Sequence, residues 1–534
     1  MPLFSRFSLR KLILALLALA TGLYLAKTLG YLSTDRLGFW VDSLDHGEQP
    51  QKQAALPASP RSSQLTPTSF KRQQAVREAT KHAWAAYKQF AWGMDEFLPI
   101  TKSSNQRWGG WAITLVDSLD TLKLAGLETE YNEAKEFVST MQFNRTRPGY
   151  ETQLFEMTIR ALGGLLGAYE LDNDPMLLKQ AKQVGDSLAY AFNTNTGLPA
   201  THVDVNGKSP MSSSEICIAE AGTLQLEFKK LSQLTGDGKY AKLVEKVSDI
   251  MDKAERKLKG LYPKFINIRT GEYNQDSGYS VGSYADSFYE YLLKQYILHD
   301  GKEPKFKERY VESVEAINSK LVKKTDSGFS YLGSSHSDDS FSHTMEHLAC
   351  FYPGLLALGS HVLDRPQDMV VAKELARTCY HSYAMTPTGL GPDTISFNAT
   401  ETRPSYYNNA WWYKESQFDA YGVGSSNPQY VLRPETVETL FILYRITGDT
   451  KYQDWGWNIF LAIEKYTRRE VGYAAYVNVY RTNVALNHQN SMESFFLAET
   501  LKYLYLLFSP TDLVPLDEYV FNTEAHPLRI IKSK

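Results

Sequence analysis

The chain has 534 residues, of which 43% are hydrophobic and 22% are charged, so it can bury a substantial core. Its net charge of −3 gives no reason to expect a nucleic-acid partner. Most of the 34 tyrosines and 9 tryptophans are expected to pack in the core and between helices. A minority lining a sugar cleft is the functional alternative.

The first 41 residues have the pattern of a membrane signal. A basic flank precedes an uncharged run from Leu12 to Ala26, which is short for a bilayer span and long enough for the core of a signal peptide. A cleaved signal and an uncleaved type II anchor both remain open. Apolar residues resume after the run and favour the anchor, with residues 42–69 as a polar stem. Either way the basic flank stays cytoplasmic and the body enters the lumen.

Seven acidic residues recur along the rest of the chain, and each opens an apolar run of helical character. They lie about 60 residues apart on average, which is the length of two antiparallel helices with their loops. If each acid lies in the first turn of an equivalent helix, all seven point to one end of the assembly, where helix N-termini favour negative charge. The seven are Asp117, Glu156, Glu220, Asp286, Glu346, Glu435 and Glu493.

This spacing predicts seven helical hairpins. The helix stop at Thr235–Tyr240 has a near copy at Thr447–Tyr452, which indicates repeated units. No block resembles a polar capping repeat, so a closed ring is favoured over an open solenoid. We therefore predict an all-α fold, an (α/α)7 toroid or barrel of seven hairpins with minor β-hairpin insertions. It is expected to occupy residues 70–528, followed by a short tail at 529–534.

The three cysteines predict one disulfide and one free thiol in an oxidising compartment. Cys350 and Cys379 would close a short loop between neighbouring hairpins, whereas Cys217 begins an apolar helix and is expected to be buried. N-glycosylation sequons at Asn144 and Asn398 agree with luminal placement. The chain has neither a paired Cys-x-x-Cys motif nor His-Glu-x-x-His, so a transition-metal site is not expected.

A ring of carboxylates has the composition needed to cleave a glycosidic bond. That reaction requires one protonated carboxyl to assist the leaving oxygen and one ionised carboxylate to activate water or to attack the sugar. Crowded acids supply both states, because like charges push neighbouring pKa values apart. A single acid of this kind more often only caps its helix. Recurrence in every hairpin argues against capping alone, which Ser, Thr or Asn would serve as well.

Seven sequence blocks carry a closer resemblance, and they occur in order between about residues 70 and 528: Leu115–Leu122, Phe155–Leu166, Ala219–Phe228, Asp286–Leu292, Arg433–Thr439, Met492–Thr500 and Phe521–Pro527. Together they resemble the signatures of class I α-1,2-mannosidases, glycoside hydrolase family 47. The resemblance implies an (α/α)7 barrel, in agreement with the hairpin count. It also implies an inverting, calcium-dependent enzyme that trims terminal α-1,2-linked mannose from oligomannose N-glycans on glycoproteins in the secretory pathway.

The same resemblance implies three catalytic residues. Glu156 is expected to be the general acid and Glu435 the general base, with Asp286 also essential near the attacking water. Which carboxylate activates the water stays open. Only one general acid and one base are needed for an inverting reaction.

The resemblance further implies a calcium site and a sugar pocket. Thr523 is similar to the family threonine whose backbone carbonyl and hydroxyl bind Ca²⁺, and nearby carboxylates would act mainly through bound water. For His347, a core histidine would otherwise be the favoured interpretation. The residues expected to bind substrate are Arg160, Glu220, Tyr284, Glu290, Glu346, His347, Arg433, Glu438, Phe495, Glu499 and Glu524.

Two positions depart from the family pattern. Asp393 stands where the family usually has Glu, and Glu346 stands where relatives often have Asp, so both keep their charge.

At Tyr284 the family has Arg in reticulum enzymes that remove one mannose and an apolar residue in Golgi enzymes. The tyrosine therefore predicts a broader cleft that removes more than one mannose.

Three function classes remain to be compared. An active mannosidase is favoured because the acid, base and calcium motifs are all present. The alternative is a lectin-like, mannosidase-related quality-control protein that recognises misfolded glycoproteins. A toroidal endoglucanase would share the ring of acids but would lack Thr523 and the Arg433–Glu435 block. The favoured interpretation places a monomer in the endoplasmic reticulum or Golgi membrane, held by its N-terminal anchor, with the catalytic domain in the lumen.

Overall fold

Helices dominate the computed structural model, which describes residues 56–58, 61–211, 213–336, 340–397 and 423–532. Seven of the helical stretches are buried over most of their surface and form an inner ring, as helices apolar on all sides do. In chain order these inner stretches are Ile113–Asp117 with Leu119–Leu124, Leu154–Glu156 with Met157–Leu162 and Gly163–Asp172, Ile218–Gly222 with Gln225–Thr235, Asp286–Leu298, Tyr352–Leu363, Glu435–Thr447, and Phe496–Thr500 with Leu501–Leu507.

Each inner stretch forms a hairpin with one amphipathic outer helix. Six outer helices follow their inner partner along the chain: Glu128–Thr140, Pro175–Leu188, Lys239–Lys253, Pro304–Lys320, Pro366–Ala384 and Lys451–Tyr466. The seventh is the first helix of the described chain, Pro67–Phe90, which packs against Leu501–Leu507. The last hairpin is thus built from both ends of the domain, and it closes the ring. The predicted barrel of seven hairpins is confirmed.

Local sequence signals explain where these helices begin and end. The side chains of Thr66 and Asp174 accept hydrogen bonds from the first free N–H groups of their helices, and each is followed by proline, the residue best suited to the first helical position. Gly236 and Gly448 end two helices with φ of 73° and 68°, which confirms the paired helix stops. The first helix begins at Pro67, three residues ahead of the predicted domain start.

Short antiparallel strands occupy the loops at the ends of the helices, as the predicted β-hairpin insertions require. The largest sheets have three strands, and the others have two. The paired strands are Glu96–Leu98 with Ser103–Asn105, Thr152–Gln153 with His202–Asp204 and Ser209–Pro210, Glu215–Cys217 with Phe265–Asn267, Val322–Lys324 with Ser330–Leu332, Ser334–Ser335 with Phe341–Ser342, Thr344–Glu346 with Thr394–Phe397 and Val423–Asn427, and Tyr519–Phe521 with Pro527–Arg529.

The last of these hairpins, Tyr519–Phe521 with Pro527–Arg529, enters the barrel. Its strands pack against the inner helices Gly163–Asp172 and Asp286–Leu298, and its loop, residues 522–526, lies inside the ring. Ile531 beyond the hairpin still donates a backbone hydrogen bond to Leu298. The hairpin therefore fills the barrel and brings the loop residues to its centre.

The glycines of the second inner stretch make this close approach possible. A Cβ on Gly163 would lie 2.5 Å from Nδ2 of Asn522, and one on Gly164 would lie 2.7 Å from the carbonyl oxygen of Val116. Real Cβ atoms do not approach other atoms so closely, because interiors are packed to crystal density. Glycine at positions 163 and 164 therefore leaves room for the hairpin loop and for the neighbouring inner helix.

The structure joins Cys350 to Cys379 and leaves Cys217 buried and free, as predicted. One expectation is wrong, since not all seven acids lie in the first turn of a helix. Asp117 is the last residue of the helix Ile113–Asp117, and Glu346 ends the strand Thr344–Glu346. The inner helix beside Glu346 starts later because a 3-10 turn precedes it.

The proposed N-terminal anchor and the Asn398 sequon lie outside the described residues. Within the part of the chain that the structure does describe, no helix combines the length and the apolar character required to cross a bilayer.

The glycine contacts generate a stability prediction. Gly163→Ala forces a methyl group against Asn522, and overpacking of this kind costs about 1–3 kcal/mol in the free energy of unfolding. Gly238→Ala is the matched control, because Gly238 has ordinary helical φ and nothing within 4 Å of its added Cβ. We expect denaturant unfolding to show a loss for Gly163→Ala alone. Equal midpoints for the two variants would contradict the close packing described here.

Candidate active site

The candidate residues converge on one cavity of about 370 Å³ at the centre of the barrel. Glu346 and His347 do not line it but contact residues that do. The cavity wall contains all the other sequence-predicted site residues, namely Glu156, Arg160, Glu220, Tyr284, Asp286, Glu290, Arg433, Glu435, Glu438, Phe495, Glu499, Thr523 and Glu524. Site residues from five of the seven hairpins and from the C-terminal loop therefore share a single space.

One side of the cavity is organised by Arg160. Its Nε donates to Glu156 at 2.7 Å, its Nη1 pairs with Glu524, and the same nitrogen lies 3.6 Å from Asp117. One guanidinium therefore serves three carboxylates. Burial raises the pKa of Glu524 well above its usual range; Arg160 opposes this shift, whereas Asp117 and Glu156 add to it. The raised pKa favours the protonated form of Glu524, beside the guanidinium that also binds Glu156.

Two π-helical turns bring residues into the cavity from this side. Met157–Leu162 contains Arg160, and Phe496–Thr500 contains Glu499. A π turn adds a residue to the helical turn, so it redirects side chains that a regular helix would point elsewhere, and such turns are frequent at functional sites. Periodicity in the sequence does not reveal them.

The opposite side is organised by His347. Its Nδ1 lies 2.7 Å from Oε2 of Glu435, and its Nε2 lies 2.6 Å from the hydroxyl of Tyr383. Burial alone opposes ionisation of Glu435, but the hydrogen bond and charge of His347, together with Arg433, lower the pKa of Glu435 below its ordinary value. Glu435 is therefore an ionised carboxylate in a mostly buried position, the state that a general base requires.

Arg433 is held in turn by Asp393. The Oδ1 of Asp393 accepts a hydrogen bond of 2.6 Å from Nε of Arg433, and its backbone carbonyl accepts the N–H of His347 at 2.8 Å. Asn427 donates to its other oxygen at 3.1 Å. The aspartate that departs from the family pattern thus still reaches the arginine, and it supports both partners of Glu435.

Asp286 begins the inner helix Asp286–Leu298 and is partly buried in the cavity wall. Burial raises the pKa of Asp286 to about 7, and the charges of Glu290, Glu346 and Glu435 add to this rise. The N–H of Ser287 donates to Oδ1 of Asp286 at 2.8 Å and opposes the rise. Asp286 and Glu435 therefore lie in one cavity with pKa values displaced in opposite directions, which is a mark of acid-base sites.

Aromatic side chains form part of the wall at the cavity mouth. Tyr284 is 55% exposed, has a left-handed φ of 76° and packs its ring 5.3 Å from that of Phe265. A bulky residue in this conformation costs of order 1–3 kcal/mol, and such strain concentrates at ligand sites. Phe495 lies farther in, with its ring 5.8 Å from the guanidinium of Arg160. These rings are suited to stacking on a sugar.

The loop that carries Thr523 is fixed by the side chain of Asn522. Its Oδ1 accepts the N–H groups of Glu524 at 3.0 Å and His526 at 2.7 Å. Its Nδ2 donates to the carbonyl of Ile159 at 3.0 Å and to Oε1 of the buried Glu227 at 2.8 Å. All four hydrogen-bonding positions of the amide are used, so the loop has a single arrangement.

Behind the cavity lies a fully buried ionic network that sequence reasoning did not find. His526 is hydrogen-bonded through Nε2 to Asp117 at 3.0 Å and through Nδ1 to Asp120 at 2.8 Å, and Lys502 pairs with Asp120 at 2.9 Å. Burial alone would lower the pKa of His526, but the two aspartates outweigh it and raise that pKa. The imidazolium therefore balances Asp117, which also faces Arg160.

Sequence signals for this network existed inside the matched motifs. Asp120 and His526 belong to the blocks Leu115–Leu122 and Phe521–Pro527, so unexplained polar residues within a motif were the available clue. Glu493, expected in the ring of acids, does not line the cavity. It pairs with Arg107 at the barrel rim.

The part of the cavity wall formed by Glu438, Glu499, Thr523 and Glu524 has the composition of a site for a hard cation. Glu438 and Glu499 are buried beside Thr523 and Glu524. Burial raises the pKa of Glu438 and Glu499 well above the usual range, and neighbouring carboxylates add to the shift. A cation among these groups would stabilise their ionised forms, and an all-oxygen donor set suits Ca²⁺. In the described ranges, no three Asp, Glu, His or Cys side chains meet closely enough to hold a metal by themselves.

Comparison with known proteins agrees with this geometry. The family model for glycosyl hydrolase family 47 matches residues 79–530. The chain is 40% identical over 494 residues to the endoplasmic reticulum mannosyl-oligosaccharide 1,2-alpha-mannosidase of Homo sapiens, covering 90% of this chain and 68% of the human protein. It is 41% identical over 479 residues to a mannosyl-oligosaccharide 1,2-alpha-mannosidase of Arabidopsis thaliana, covering 87% and 80%.

Among solved structures, an alpha-1,2-mannosidase from Trichoderma reesei superposes with a TM-score of 0.81 at 31% identity, over 89% of this chain and 100% of that one. The likeness therefore extends through the whole barrel as well as the sequence. Since the family model spans most of the described chain and these relatives align over nearly all of it, the protein belongs to glycosyl hydrolase family 47.

Proposed function

We propose that this protein is an inverting exo-α-1,2-mannosidase that removes terminal α-1,2-linked mannose from oligomannose N-glycans of glycoproteins. The observation that carries the proposal is the pairing of opposite acid-base environments in one cavity. Glu156 and Glu524 both pair with Arg160, and burial raises the pKa of Glu524, whereas His347 and Arg433 keep Glu435 ionised. The names of the relatives supply the substrate class.

In this mechanism Glu156 gives its proton to the leaving glycosidic oxygen. Glu435 takes a proton from a water molecule, which attacks the anomeric carbon from the opposite face. Asp286 lies near the water and holds it through hydrogen bonds. Attack and departure on opposite faces invert the anomeric centre.

We also propose that Thr523 binds Ca²⁺, with Glu438, Glu499 and Glu524 holding its coordinated waters. When bound, the ion would supply a fixed positive charge that orients sugar hydroxyl groups. The chain's own part is to bring the buried Glu438, Glu499 and Glu524 and the partly buried Thr523 to one cavity. The Asn522 contacts hold that position still.

We further propose a membrane anchor and a cellular compartment for the enzyme. Residues 1–41 would anchor a monomer in the endoplasmic reticulum or Golgi membrane, with the barrel in the lumen. The basic flank and apolar run in the sequence support the anchor, and the name of the human relative supports the compartment.

The acid role generates a kinetic prediction. Glu156→Gln removes the proton donor and should lower kcat by about 10²–10⁴-fold with a much smaller change in KM, since a general acid acts mainly in the transition state. Glu136→Gln, on an exposed face of an outer helix, should leave both constants unchanged. Mannose release from an α-1,2-linked mannobiose measures the rates. Proton NMR of fresh product should show β-mannose first, and initial α-mannose would exclude the inverting mechanism.

The raised pKa of Asp286 generates a stability prediction. Burial raises the pKa of Asp286 from an ordinary value of 3.8 to about 7 on folding. Between these two values the unfolded chain ionises this carboxyl while the native state keeps it protonated, so native stability falls as pH rises from about 4 to about 7. Asp286→Asn stays neutral, so its Tm should exceed that of the wild type at pH 8 by more than at pH 4.

Exposed Asp276→Asn provides the control for that comparison, since its side chain is 84% accessible. A Tm difference for Asp286→Asn that is the same at both pH values would show that the buried site does not resist ionisation. Loss of activity in this variant is expected as well.

The calcium proposal is tested by binding and stability. Calcium added to chelator-treated protein should raise Tm, because a ligand that binds only the native state stabilises it by about 2.7 kcal/mol at one hundred times its Kd. Thr523→Ala should reduce that shift and weaken binding in calorimetry. Exposed Thr140→Ala should not. A chelated protein with unchanged Tm and unchanged activity would rule out the site.

A further inference from the structure

A surface loop outside the lining of the catalytic cavity has a feature that the proposed function does not use. Asn144 lies in a turn between the outer helix Glu128–Thr140 and the strand Thr152–Gln153, and its side chain is exposed. Within the described ranges its carboxamide makes no hydrogen bond. With Arg145 and Thr146 it forms an N-glycosylation sequon.

The backbone on both sides of Asn144 is firmly held. The hydroxyl of Ser187 donates to the carbonyl of Phe143 at 2.8 Å, and Nε1 of Trp111 donates to the carbonyl of Arg145 at 3.0 Å. Phe143 is itself fully buried against the ring of Trp111. The loop therefore presents the free Asn144 carboxamide from a fixed frame.

A second contact connects the sequon to a neighbouring β-turn. Asn206 accepts the N–H of Thr146 at 3.1 Å and donates to its carbonyl and to its hydroxyl, both at 3.2 Å. Three hydrogen bonds between these two residues join the loop to the turn after the strand His202–Asp204. The two segments form the walls of one groove.

This groove has the size and chemistry of a sugar site. Its volume is about 760 Å³, within the range of about 300–1,000 Å³ that receives drug-sized ligands. It offers the ring of Tyr150, the carboxylates of Glu151 and Asp204 and the guanidinium of Arg145. An aromatic face with surrounding donors and acceptors suits a sugar that bears hydroxyl and acetamido groups. None of these residues lines the catalytic cavity.

We propose that Asn144 is N-glycosylated and that the two N-acetylglucosamine residues nearest to it lie in this groove. In the modification, the amide nitrogen of Asn144 forms a bond to C1 of an oligosaccharide carried on a lipid diphosphate. The bond from C1 to the diphosphate oxygen breaks, the lipid diphosphate leaves with the bonding electrons, and the amide proton passes to a base. The modification rests on the luminal placement in the proposed function.

The first test is peptide mapping of the full chain expressed in eukaryotic cells. The peptide that contains Asn144 should carry a mass of hexose and N-acetylhexosamine units, and peptide N-glycosidase should remove it and convert Asn144 to aspartate. Thr146→Ser should keep the glycan because the sequon persists, whereas Asn144→Gln should lose it. Unmodified Asn144 in protein that retains mannosidase activity overturns the inference and leaves the proposed function standing. A protein that is glycosylated at Asn144 but inactive would support the inference and overturn the proposed function.

The second test concerns the groove. An endoglycosidase that cuts between the first two sugars should release the glycan slowly from native protein and rapidly from denatured protein. Asn206→Ala breaks the wall of the groove while the sequon remains, so native release should become several-fold faster at unchanged occupancy. Asn132→Ala, on an exposed helix face, should not change the rate. Equal native rates for the wild type and Asn206→Ala would overturn the placement of the sugars.

Discussion

The geometry of the catalytic cavity depends on the amide of Asn522. It accepts two hydrogen bonds from backbone N–H groups of its own loop and donates two, to a backbone carbonyl and to Glu227. Among side chains of this size, only a carboxamide both accepts twice and donates twice. Each of these groups is buried, so a missing partner would leave an unsatisfied polar atom at a cost of about 1–3 kcal/mol. The position of Thr523 follows from this one residue and from the glycines that admit it.

The second organising principle is the distribution of positive charge among the acids. Arg160 is divided among three carboxylates, and burial still raises the pKa of Glu524, whereas His347 and Arg433 serve Glu435 and keep it ionised. His526 and Lys502 compensate Asp117 and Asp120 behind the cavity, and Lys294 compensates Glu290 in its wall. A buried charge without a partner is strongly destabilising. The network therefore serves stability and protonation together.

Much of this could be predicted from the sequence, for identifiable reasons. Helical hairpins repeat at a readable spacing, and motif blocks carry their polar residues with them, which is why Glu156, Asp286, Glu435 and Thr523 could be named from the sequence before the structure brought them to one cavity. What escaped prediction depends on contacts between distant segments. Asp120 contacts His526, which lies 406 positions later in the sequence. Arg160 and Glu499 lie in π-helical turns. One extra residue in a turn does not visibly disturb the apolar pattern, so the sequence does not reveal these turns.

Closure of the ring has a consequence for how the protein folds. Pro67–Phe90 finds its partner only when Leu501–Leu507 exists, although six hairpins between them are built from neighbouring segments. Local pairs form quickly, and contacts between distant parts of a chain form slowly. During synthesis the first helix therefore waits with its apolar face unpaired until nearly the whole barrel has emerged. An unpaired face of this kind is where a folding assistant binds or aggregation begins, so the first helix is exposed to both until the ring closes.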